Sequence, residues 1–131
     1  MLVLGLGLRE EQGTIIANKG QRIIVGNPTD NRDIRIELLD YKDRNSSISG
    51  KEEAKLFISK PNGTDTVTLQ KDDAYNLGRA KVMFLGKPSD AWECRFGFET
   101  PVKNLPINRE PEFRRKFAGQ FKRGIDSTER G

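Results

Sequence analysis

The sequence predicts an all-β fold, a small antiparallel sheet or barrel-like domain with a β-rich insertion and one short C-terminal helix. Three observations carry that expectation. Short apolar runs alternate with polar residues at period two, as in Trp92, Cys94, Phe96 and Phe98 against Glu93, Arg95, Gly97 and Glu99. Clusters of Gly, Pro, Asn and Asp separate the runs. A single segment, close to the C-terminus, spaces its apolar residues for a helix.

Met1 to Leu8 reads as the first strand, with Leu2, Leu4, Leu6 and Leu8 on one face. Four leucines on one side require a covering layer, and Gly5 and Gly7 permit close approach of another backbone. Arg9 to Gly13 reads as a polar turn. Thr14 to Ala17 and Arg22 to Val25 are strands around Asn18-Lys19-Gly20-Gln21, which reads as a four-residue hairpin loop. After a turn cluster from Gly26 to Asn31, Ile34, Ile36 and Leu38 alternate with Arg35 and Glu37 in another strand. Asp40 to Ala54 is polar and reads as a mobile loop; its Asn45-Ser46-Ser47 sequon is a chance match.

Lys55 to Ser59 and Thr66 to Leu69 flank Pro61-Asn62-Gly63-Thr64-Asp65. Asn-Gly favours positive φ at two central turn positions, the strongest hairpin signal in the chain. Asp72 to Leu77 is ambiguous, with one short helical turn as a reading. Lys81 to Leu85 is a strand, and Gly86 to Asp90 turns into the alternating run from Trp92. Leu105 to Asn108 reads as an edge strand, because Pro106 cannot donate to a ladder. Phe113, Phe117 and Phe121 share one helical face across residues 112–121, and Gly124 can end that helix.

A length of 131 residues suits one domain. With 34% apolar and 32% charged residues the core is lean, so part of the chain is loop, tail or partner-covered. No apolar run is long enough to span a membrane, and MLVLGLGL reads as a strand rather than a signal peptide. The single cysteine, Cys94, fits a reducing, cytoplasmic compartment and a buried hydrophobe's role. Residues 1–100 carry 15 basic and 15 acidic side chains, whereas residues 101–131 carry 8 and 4, so the net charge of +4 lies wholly in the last quarter. A basic tail of this kind attracts phosphate backbones or acidic surfaces.

The chain has no histidine, which closes catalytic triads, imidazole acid–base chemistry and most zinc sites. Its paired carboxylates, Glu10/Glu11, Glu52/Glu53 and Asp72/Asp73, fall in polar turns. Neither an enzyme nor a cofactor or metal is expected.

With strands placed, both ends of the chain resemble the carbon storage regulator family of bacterial RNA-binding translational regulators. Met1-Leu2-Val3-Leu4 resembles that family's first strand. Lys81 to Gly86, Trp92 to Pro101 and Leu105-Pro106-Ile107-Asn108-Arg109-Glu110 resemble the remaining strands in order, over about a third of the chain. On this resemblance residues 1–12 and 78–117 form a regulator-like core, 13–77 a β-rich insertion and 118–131 a basic flexible tail. The resemblance implies an intertwined homodimer in which the first strand of one chain lies beside the last strand of the other. It also implies binding of GGA-type loop RNA (mRNA or small RNA) near ribosome-binding sites. Carried over, the RNA-binding positions are Leu4, Leu105, Ile107 and Arg109. Asn108 stands where the family has histidine. Leu6 and Gly7 stand where it has a basic pair, which leaves Arg9 as the nearest charge.

The residues themselves support the same kind of reading: an arginine at a strand end can pair with phosphate or guanine. The alternative is a structural or assembly protein, of the virion-accessory type, that reuses the scaffold without RNA. Its motives are the leucine-rich first strand, the turn-rich loops and the basic tail.

Overall fold

The computed structural model describes residues 1–27 and 32–110. These form strands β1 (Leu2–Glu11), β2 (Thr14–Ala17), β3 (Arg22–Val25), β4 (Ile34–Lys42), β5 (Glu53–Lys60), β6 (Gly63–Gln70), β7 (Ala74–Asn76), β8 (Lys81–Gly86), β9 (Glu93–Glu99) and β10 (Ile107–Arg109). They build two antiparallel sheets, ordered β2-β1-β9-β8-β7 and β10-β3-β4-β5-β6. The fold is all-β, as the alternation predicts. The expected helix over 112–121 and the tail over 118–131 lie outside the described residues.

Several boundaries differ from the sequence reading, each for a local reason. Arg9 to Glu11 continue β1 rather than turning. The turn is only Gln12-Gly13, with φ of 52° and 78°, the paired positive values of a two-residue hairpin turn. Charge does not end a strand whose two faces both meet water. The loop at Asn18–Gln21 is not a hairpin: β2 pairs with β1, whereas β3 lies between β10 and β4, so the loop carries the chain from one sheet to the other. The polar stretch expected as loop from Asp40 shortens to residues 43–52. β4 runs on to Lys42 past a bulge at Leu39, and β5 begins at Glu53. The Asp43 carboxylate accepts the N–H groups of Ser46 and Asn45, both at 2.9 Å, which holds it below the usual carboxylate range.

At the β5–β6 hairpin, Gly63 faces Lys60, so Pro61 and Asn62 are the central residues. Proline fixes φ near −65°, which rules out the turn that Asn-Gly suggested; only Gly63 is left-handed there, at φ 143°. Residues 74–76 are a strand, not a helical turn. The alternating run is buried at Cys94, Phe96 and Phe98, but Trp92 precedes β9 and is 53% exposed, with the Lys87 ammonium over its ring.

One hydrophobic core joins the sheets. Leu6 and Leu8 of β1 meet Ile36, Leu56 and Ile58 from the second sheet and Val82, Phe84 and Phe96 from the first. The Phe84 and Phe96 rings lie 5.5 Å apart, and Tyr41 meets Phe84 edge-on at 6.4 Å. Residues 13–77 therefore contribute four strands of one sheet and a large share of the core. Cys94 sits fully inside, where burial pushes its thiol pKa up. Among the described residues β10 is an edge strand, as Pro106 predicts, and pairs with β3 alone.

Candidate nucleic-acid interface

β1 changes partner along its length, and the change decides which of its main-chain groups face outward. Residues 2–7 pair with β9 and residues 8–11 with β2, on the opposite edge. The Leu8 N–H donates to the Trp92 carbonyl, directly opposite, at 2.9 Å. By the strand's period of two, Leu2, Leu4 and Leu6 also direct their N–H and C=O groups at β9. The odd-numbered residues turn theirs the other way. At Glu11 and Arg9 β2 receives them. At Gly7 the carbonyl accepts the Asn18 N–H at 3.0 Å, and the N–H donates to the Gln21 side-chain oxygen at 2.6 Å. There the chain leaves for the other sheet. Gly5 and Val3 have no protein partner on that edge among the described residues.

The same edge is sparsely covered. Leu2 and Val3 are 44% and 47% exposed, beside an exposed Met1 whose thioether lies over Gly97. Gly5 has no side chain to screen its backbone, and the Glu93 carboxylate lies across its outer face, where a Cβ would overlap it. Unpaired backbone with apolar side chains at Leu2 and Val3 and the Glu93–Arg95 ion pair beside Gly5 is a template for an extended partner.

β10 lies close by, in the other sheet of the same chain. Cα atoms of β1 and β10 come within 8 Å with no backbone hydrogen bond between the strands. Register fixes β10 on β3, with Ile107 opposite Val25, Asn108 opposite Ile24 and Arg109 opposite Ile23. A bidentate ion pair anchors its end. Arg22 donates from Nε to Glu110 Oε2 at 2.9 Å and from Nη2 to Oε1 at 2.5 Å, and Glu110 is nearly buried. The hydrogen bonds to Glu110 raise the arginine pKa against the opposing effect of its burial.

The residues expected at the site fall into three groups. Leu4 and Leu105 are half-buried against the core and Ile107 is buried in it, so all three hold the strands in place rather than face outward. Asn108 and Arg109 stand at the rim. Arg109 is exposed, and the buried Asn108 Nδ2 has no hydrogen-bond partner among the described residues. Arg9 belongs to the part of β1 that pairs with β2, not to the open edge at Val3 and Gly5. It lies five residues from Leu4, about 16 Å along an extended strand, and pairs with Glu11 at 2.9 Å. Sequence reasoning missed Val3 and Gly5, whose relevance is in the backbone, and Asn18 and Gln21, which stop the ladder. The glycines at 5 and 7 were the available signal, because they marked a close backbone approach.

Comparison of the chain with protein-family models, with curated proteins and with solved structures returns no match.

Proposed function

We propose that this chain is an RNA-binding module of the translational-regulator kind, taking a short unpaired segment such as a GGA loop along the neighbouring edges of β1 and β10. One observation carries the reading. The unpaired main-chain groups of Val3 and Gly5 lie in the same chain as β10, whose Cα atoms approach those of β1 within 8 Å and whose end presents Arg109.

The chemistry suits an unstacked RNA strand better than a duplex. Outward N–H and C=O groups can read the edges of splayed bases, and the exposed apolar side chains of Leu2 and Val3, on opposite faces of the strand, offer apolar contact on either side. A guanidinium at the rim suits phosphate or the O6/N7 edge of guanine. The basic excess of residues 101–131 adds salt-dependent attraction to the backbone.

The test is titration of a GGA-containing RNA hairpin at two salt concentrations with wild type and Arg109→Ala. Binding should weaken with salt, and the variant should lose roughly tenfold or more in affinity, within the range for a lost guanine contact. Equal affinities, or no binding at micromolar protein, would overturn the proposal. A second reading, assembly into a larger particle through the β1 edge, is favoured by the exposed run Met1-Leu2-Val3. Native mass spectrometry showing higher-order species that bind no RNA would select it.

A further inference from the structure

The two sheets repeat one plan. In the β4–β5 hairpin Leu38 faces Leu56 and Asp40 faces Lys55, leaving Leu39 bulged. In the β8–β9 hairpin Phe84 faces Phe96 and Gly86 faces Arg95, leaving Leu85 bulged. Matching the bulges lays Glu53-Ala54-Lys55-Leu56-Phe57-Ile58-Ser59-Lys60-Pro61 on Glu93-Cys94-Arg95-Phe96-Gly97-Phe98-Glu99-Thr100-Pro101 with no gap. Ala54, Leu56 and Ile58 fall on Cys94, Phe96 and Phe98, all buried.

The match extends in both directions. Ile23 faces Ile36 as Tyr75 faces Val82, and three residues after each comes a left-handed glycine beyond the strand's end, Gly26 at φ 115° and Gly78 at φ 93°. Leu4 faces Phe96 as Val67 faces Leu56. Hydrogen bonds beyond the ladders repeat as well. The Leu8 N–H donates to the Trp92 carbonyl at 2.9 Å, and the Lys71 N–H to the Glu52 carbonyl at 3.0 Å. Gln21 accepts the Gly7 N–H at 2.6 Å, and Asp73 accepts the Gln70 N–H at 3.0 Å. A shared architecture alone would not require the bulge, both caps and the glycine to coincide.

Connectivity gives the repeat its meaning. β1 precedes β3–β5 in the chain but pairs with β9, and β6 precedes β7–β9 but pairs with β5. Each half has lent its first strand to the other's sheet. We infer that the chain is internally duplicated, a strand-exchanged two-fold dimer written as one polypeptide, and that it works as a monomer with one ligand edge where such a dimer would have two. The ligand's identity rests on the RNA reading above; the duplication does not.

Two observations make the edges unequal. After Pro101 the chain runs on to β10, which pairs with β3, whereas after Pro61 it turns at once into β6. The place beside β7 that corresponds to β10's holds no strand among the described residues. The second edge is also clamped. Asp65, at the position matching Leu2, accepts hydrogen bonds from the Tyr75 hydroxyl at 2.8 Å and the Lys60 ammonium at 2.5 Å, tying β6 to β7.

The test combines native mass spectrometry of the full chain, alone and with the GGA hairpin, with a matched pair of substitutions. Val3→Pro and Thr66→Pro each remove one outward N–H at equivalent edge positions and spare the ladder. The expected results are a monomeric mass, one RNA per chain, an affinity loss of about tenfold or more for Val3→Pro and a change within about twofold for Thr66→Pro. A dimer that binds two RNAs, or equal losses from both prolines, would overturn the inference and leave RNA binding standing. A monomer that binds no RNA would sink the RNA reading and with it the single-ligand claim, while supporting the monomeric duplication. The wild-type mass and stoichiometry decide the matter even where a proline variant fails to fold.

Discussion

β1 and β6 occupy matching places on matching hairpins, yet present different edges. Their inward positions stay apolar, Leu4 and Leu6 in one and Val67 and Leu69 in the other, because all four face the common core. Their outward positions diverge: Val3, Gly5 and Gly7 against Thr66, Thr68 and Gln70. Packing constrains the first set in the same way on both strands, whereas exposure leaves the second set free to follow use. A charged pair such as Lys60–Asp65 is one means by which an edge is kept from foreign strands. Over residues 2–6 the β1 strand has no charged side chain of its own, although the Glu93–Arg95 pair lies beside Gly5, and the backbone is closed just beyond, at Gly7. The contrast lies in the side chains, because Thr66 and Thr68, like Val3 and Gly5, have no backbone partner on the outer side among the described residues.

The largest expected effects concern the core that both halves share. Phe96→Ala should cost about 4 kcal/mol and its counterpart Leu56→Ala about 3 kcal/mol. Both should shift a single unfolding transition, because one cluster spans the two sheets. Denaturant unfolding followed by Trp92 fluorescence and by far-ultraviolet circular dichroism checks this. Two separated transitions would divide the halves into independent units and break the comparison. Next comes the tether unique to one side. Arg22, which faces Glu37, corresponds to Ala74, which faces Met83, and only Arg22 has an acid to hold. Arg22→Ala should destabilise by about 2 kcal/mol, with strong coupling to Glu110→Ala in a double-mutant cycle. Additive losses would mean that the pair does not anchor β10.

The fold class was legible because burial imposes period two on strands with one face in a core: Ile34, Ile36 and Leu38 announce β4 without any structural input. Partner choice was not legible. The stretch Asn18–Gln21 has hairpin composition and hairpin length, yet it crosses between sheets, because its destination is set by which edge needs β3. The repeat escaped notice for a related reason. Identities survive at few positions, Glu53/Glu93 and Pro61/Pro101 among them, and connections of unequal length remove any fixed period. Only register restores the alignment. At the site, the sequence pointed to side chains such as Leu4 and Ile107 that the fold spends on packing. The groups left open at Val3 and Gly5 belong to the backbone, whose direction depends on hydrogen-bond parity.

A smaller effect tests whether the caps are true counterparts. Gln21→Ala and Asp73→Ala each remove the acceptor of one edge amide, at Gly7 and at Gln70. Each should cost about 0.5–1 kcal/mol, since the freed amide can turn to water. Amide hydrogen exchange should speed up at Gly7 in the first variant and at Gln70 in the second. A cost confined to one of them would show that the resemblance between the halves stops short of the caps.

The smallest effect is a pH dependence that only the β6 edge should show. Hydrogen bonds from Lys60, and secondarily from Tyr75, hold the Asp65 carboxyl below the usual carboxylate range. Asp65 in turn raises the Lys60 ammonium and the Tyr75 hydroxyl above their ordinary values. A carboxyl with a lowered folded-state pKa stabilises the fold above its unfolded value, and that stability is lost as pH falls through the folded value. The raised groups contribute below their unfolded values and lose their contribution at alkaline pH. The clamp should therefore hold across neutral pH and weaken at both extremes. Because these groups are only half-buried and solvent screens them, the effect is small. The difference in urea midpoint between wild type and Asp65→Asn should shrink between pH 7 and pH 3, while Leu2→Asn, at the matching position of β1, should leave the acid limb unchanged. An Asp65→Asn difference that persists unaltered at pH 3 would detach the ion cluster from the closing of the edge. The inequality of the two edges would then rest on β10 alone.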